Sequence, residues 1–139
     1  MDLRRDTIPA HSTLRLDGRP GSAAGARAHA SDFLAGSCDP PLRSDQVTDA
    51  LILISELVNN AVRHAPGPCA LDIVHDGTTL VIAVSDTGAD MPRTRLGDLR
   101  HGTGGFGWNL LNSLAKDIRV TGYRAGWKTV IATLAAAQA

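Results

Sequence analysis

Apolar and polar positions alternate over Ser12–Leu16, which predicts a short edge strand, and Asp17-Gly18-Arg19-Pro20-Gly21 then reads as a turn. Ser22–Gly36 places Ala26, Ala30, Phe33 and Leu34 at helical spacing, with Gly36 as its stop and a Cys38-Asp39-Pro40-Pro41 loop after it. The clearest helix opens at Ser44, read as its cap, with Asp45 in the first turn where the helix dipole favours a carboxylate. Val47, Leu51, Ile54, Val58, Ala61 and Ala65 form one apolar stripe, and Pro66-Gly67-Pro68 ends the helix. Ala70–Val74 and Leu80–Asp86 read as strands joined through Asp76-Gly77-Thr78. Asn109–Lys116 reads as a helix, and Ile118–Thr121 and Thr129–Leu134 as strands flanking a turn. Strands gathered mostly as hairpins with helices on one face predict an α+β sandwich.

The 139 residues fit one domain, expected over 11–135, with a flexible arm at 1–10 and a short tail at 136–139. Fourteen basic residues balance fourteen acidic ones, so binding to nucleic acid or an anionic membrane by bulk charge is not expected. No apolar run reaches the length of a membrane span, and the start has no apolar signal core. These features predict a cytoplasmic protein. Two isolated cysteines, Cys38 and Cys69, supply neither a disulfide framework nor a zinc cluster, and His64, His75 and His101 lack ligand spacing.

Three places carry candidate chemistry. Glu56 and Asn60 sit one turn apart on the polar side of the long helix, and Arg63 and His64 continue that side. A Glu suits a general base and an Asn oxygen suits magnesium, although Glu56 alone reads equally as a solvated carboxylate or a partner of Arg63. Asp86 continues the face of Leu80, Ile82 and Val84, where a carboxylate needs a partner. An exocyclic amine of a ligand would serve, and so would the N–H groups of its own turn. Third, His101-Gly102-Thr103-Gly104-Gly105-Phe106-Gly107 leads into a helix, where backbone N–H groups can approach phosphate. It spells GxGxxG, but no strand precedes it and no acidic residue follows at the dinucleotide spacing. The glycine pattern near Gly122–Thr129 also misses a P-loop register.

Taken in order, Glu56-Leu57-Val58-Asn59-Asn60-Ala61, Asp86-Thr87-Gly88-Ala89-Asp90 and Gly105-Phe106-Gly107-Trp108 resemble the boxes of the GHKL ATPase superfamily. The likeness is greatest to the small anti-sigma-factor serine/threonine kinases and covers roughly residues 12–135. It implies the two-layer α/β sandwich of that superfamily, with a mostly antiparallel mixed sheet and ATP and Mg²⁺ as ligands. By this resemblance Asn60 coordinates Mg²⁺, Glu56 acts as general base, and Arg63 and His64 lie near the phosphates. Asp86 accepts from the adenine amine, Gly88 admits the base, and Thr129 stands beside Asp86. Residues 91–104 form a lid, and Gly104, Gly105, Phe106 and Gly107 border the phosphates.

The implied function is a kinase that phosphorylates an anti-anti-sigma protein, binds a sigma factor and so controls transcription, in a family whose members often form homodimers. A non-catalytic ATP-binding interaction module and a histidine-kinase-like catalytic domain are the alternatives. The chain departs from the family pattern at Asp90, where a glycine is usual, and at Trp108, where a small aliphatic residue is usual.

Overall fold

The computed structural model describes residues 9–65, 67–87, 111–121 and 127–136. In chain order the elements are β1 (Ala10–Leu16), α1 (Ser22–Gly36), α2 (Ser44–His64), β2 (Cys69–His75), β3 (Thr79–Asp86), β4 (Asp117–Thr121) and β5 (Lys128–Ala135). The five strands form one sheet in the order β1-β2-β3-β5-β4, and every pairing among the described residues is antiparallel. This is the α+β architecture read from the sequence, with β5 inserted between β3 and β4.

Alternation puts Leu71, Ile73, Leu80, Ile82, Val84, Ala132 and Leu134 on one buried sheet face. Helix α2 packs against β3 and β5, and α1 lies against α2 and β1. Fully burying an aliphatic side chain stabilises by about 1.5–3 kcal/mol. The shared core of α1, α2 and the sheet therefore supplies most of the driving force. A helical turn at 111–114 adds Leu111, which is fully buried.

Two local readings of the sequence are corrected. Arg43, not Ser44, occupies the cap of α2, and the Gln46 side chain accepts from the Arg43 N–H at 2.8 Å. The buried face of α2 is Ala50, Leu53, Ile54, Leu57, Val58 and Ala61, whereas Val47 and Leu51 are only partly buried. The helix is thus rotated toward its polar side relative to the stripe read from spacing. Glu56 and Asn60 consequently lie on the flank of the buried face rather than opposite it, and both are half-buried.

One close approach fixes how the chain enters β2. Gly18, at φ +75°, lies so near Gly67 that a Cβ there would sit 1.6 Å from the Gly67 carbonyl oxygen. Only glycine fits, and the contact holds the β1–α1 turn against the segment linking α2 to β2.

Candidate functional site

The last turn of α2 and the end of β3 meet through chain connectivity. Only residues 65–68 separate α2 from Cys69, and Cys69 pairs directly with Asp86. Asn60, Arg63 and His64 therefore belong to the same end of the molecule as Asp86. That end also receives Leu16 from β1 and Lys128 from β5, so Leu16, Cys69, Asp86 and Lys128 form one row across the sheet.

Within α2, Arg63 Nη1 donates to Asn60 Oδ1 at 3.1 Å. The spacing of three residues makes this contact natural on a helix, and the cationic last turn complements the helix dipole. Glu56 and His64 are half-buried and Arg63 is exposed. The carboxamide oxygen that would face a metal is thus held by the chain's own guanidinium.

At the end of β3, Asp86 is 2% exposed, as is Lys128 across from it, and Lys128 Nζ lies 3.0 Å from Asp86 Oδ2. A carboxylate buried on an apolar face requires such a countercharge. Beside them, burial first and the Asp86 carboxylate second push the Cys69 thiol pKa up.

The residue beside Asp86 is therefore Lys128 and not Thr129. Strand parity turns Thr129 to the other sheet face, where its hydroxyl and that of Ser85 hydrogen-bond at 2.8 Å. Sequence reading missed Lys128 because it lay next to a turn. Counting back by twos from Leu134 and Ala132 puts it on the buried face. Gly88, Gly104, Gly105, Phe106 and Gly107, and the 91–104 segment with Asp90 and Trp108, lie outside the described residues.

The residues present fit an adenine nucleotide and its metal in two respects. Asp86 offers a buried acceptor, and beside it the Lys128 ammonium makes no well-aligned hydrogen bond to any described residue. Asn60 offers a neutral oxygen of the kind Mg²⁺ accepts, and no cluster of three metal-ligating side chains exists among the described residues. Mg²⁺ commonly completes its shell with substrate phosphates and water, so a single protein oxygen is compatible with it. A cleft of about 860 Å³ lies between the Asp17–Pro20 turn, Val62, Gly67 and Pro68, and none of the candidate residues lines it.

This α+β sandwich is the architecture expected of the ATP-binding superfamily that the sequence resembles. Residues 16–134 match the family described as histidine kinase-like ATPase domain, and the chain belongs to that family. Among solved structures it is similar to the RsbU and RsbW domains of Rv1364c from Mycobacterium tuberculosis, at 24% identity and a TM-score of 0.59. The alignment covers 95% of this chain and 34% of that one, so the chain spans about a third of its neighbour's length. No curated protein matches the sequence. No helix among the described residues is long and apolar enough to cross a membrane.

Proposed function

We propose that the chain binds Mg-ATP and acts as a serine/threonine protein kinase on a regulatory protein partner. The observation that supports this is the flank of α2, where Glu56 and Asn60 are half-buried one turn apart and Asn60 lies toward the helix end that connects to the strand paired with Asp86. Asp86 would accept from the base and Asn60 would hold the metal, with Arg63 and His64 in the same last turn of α2 available to the phosphates. Bound Mg²⁺ supplies charge neutralisation at the phosphates. Glu56 would take the proton of the partner's hydroxyl as that oxygen attacks the γ-phosphorus, the bond from that phosphorus to the bridging oxygen breaks and ADP leaves. The partner class follows from the family resemblance: an anti-anti-sigma protein as acceptor and a sigma factor as the protein held, in the cytoplasm.

The test is transfer of label from the γ-phosphate of ATP to an anti-anti-sigma protein of the same host. Glu56→Gln lowers transfer by about a hundredfold or more, the usual contribution of a general base, and leaves nucleotide binding in place. Unchanged transfer overturns the assignment of Glu56.

A second reading, a nucleotide-binding interaction module without catalysis, is favoured by the contact of Arg63 with Asn60, in which a cation of the chain already occupies the oxygen that the metal would use. ATP binding with no transfer by the native chain to any such partner selects it.

A further inference from the structure

The pairing of Asp86 with Lys128 has more in it than charge compensation. Both side chains are 3% exposed, and Nζ stands 3.0 Å from Oδ2. An ammonium carries three N–H donors, yet Lys128 Nζ is buried and makes no well-aligned hydrogen bond to any described residue. A buried ammonium left with unused donors is costly, and structural ion pairs at this depth normally recruit further acceptors. Register fixes Lys128 there: it opposes Asp86 on the helix-facing side of the sheet, while Thr129 is turned away to Ser85. The chain thus presents an acceptor and a donor side by side, in one plane of neighbouring strands, at the site assigned to the base.

The chemical complement of an adjacent acceptor and donor is a heteroaromatic edge carrying a donor next to an acceptor. Adenine has such an edge in its 6-amino group and N1. We infer that Lys128 is a base-reading residue: its ammonium donates to adenine N1 while Asp86 accepts from the 6-amino group beside it. The inference rests on the nucleotide reading above and adds the determinant by which this chain selects the base. An Asp alone reads only the amine. With Lys128 the site reads two neighbouring atoms, and two-point contacts of this kind give the larger discrimination between bases.

Calorimetric titration of the full chain with Mg²⁺ and ATP, 1-deaza-ATP (in which a C–H replaces N1) or GTP tests it. The wild type binds 1-deaza-ATP at least about tenfold more weakly than ATP, the loss expected when a charged hydrogen bond is removed. Lys128→Met weakens ATP by a similar factor and no longer separates ATP from 1-deaza-ATP. Equal affinity of the wild type for ATP and 1-deaza-ATP overturns the inference. Tighter ATP binding by Lys128→Met also overturns it, because the lysine would then merely fill the place of the base. Preference for GTP over ATP assigns the ammonium to O6 and overturns the adenine reading. Should Lys128→Met fail to fold, the comparison on the wild type decides by itself. Absence of binding to any of the three nucleotides removes the nucleotide reading and Lys128's role with it, whereas binding without discrimination removes only the role of Lys128.

Discussion

At the scale of single residues, the chain sets polar groups in buried places at both ends of its sheet, and the two ends differ in what they can do. Lys128 and Asp86 at one end have each other. His75 at the other end is 2% exposed, and neither ring nitrogen has a hydrogen-bond partner among the described residues. Burial holds its pKa below the ordinary 6.5, with Asp76 and Asp39 opposing the shift. A folded-state pKa below the unfolded value means that the unfolded chain binds the proton first. Stability is therefore full above about pH 7 and declines as the pH falls through 6.5. His75→Leu, which replaces two orphaned polar atoms with an apolar group of similar size, raises the unfolding free energy by about 1 kcal/mol at pH 7. The gain widens at pH 5.5, and denaturant melts at the two pH values measure it. A loss of stability at pH 7 would mean that the ring has a partner outside the described residues. Counting by twos from Leu71 and Ile73 sets His75 on the buried face, but the strand read from the sequence stopped at Val74, one residue short of it.

At the scale of elements, the legible and illegible parts of the fold separate by how much phase the sequence carries. The strands Ala70–Val74 and Leu80–Asp86 alternate cleanly, and the structure extends them only to Cys69–His75 and Thr79–Asp86. The hairpin between them is tied by Asp76, whose carboxylate accepts from the Thr78 and Thr79 N–H groups at 2.8 Å each. Those bonds hold its pKa at about 2. Helix α2 is read correctly in extent but not in rotation, because Leu51-Ile52-Leu53-Ile54 is a run of four apolar residues without phase. Packing against β3 and β5 chooses Leu53 and Leu57 over Leu51 and Val47. Leu53→Ala accordingly costs about 3 kcal/mol or more in chemical denaturation, and Leu51→Ala distinctly less. The reverse order would return the helix to the rotation read from spacing and carry Glu56 away from the sheet.

At the scale of the whole molecule, function depends on which ends the topology brings together. The sequence supplied the Glu56–Asn60 box, the Asp86 turn and the Gly105-Phe106-Gly107 box in order, and the three together carried the resemblance to the family. It did not supply the insertion of β5 between β3 and β4, since hairpin reading pairs only neighbouring strands. That insertion sets Lys128 against Asp86 and sends Thr129 to the opposite face. The threonine expected beside Asp86 from the resemblance lies one position of register away, paired with Ser85, and Lys128 stands opposite Asp86.

The central claim is that Asp86 holds the base of a nucleotide at the end of the sheet covered by α2. Calorimetric titration of the wild type and of Asp86→Asn with Mg-ATP tests it most directly, with circular dichroism confirming that both chains are folded. The wild type is expected to show saturable one-to-one binding, and Asp86→Asn an affinity about ten- to a hundredfold lower, the loss of one charged hydrogen bond. Equal affinities, or no heat from the wild type at millimolar nucleotide, would contradict it.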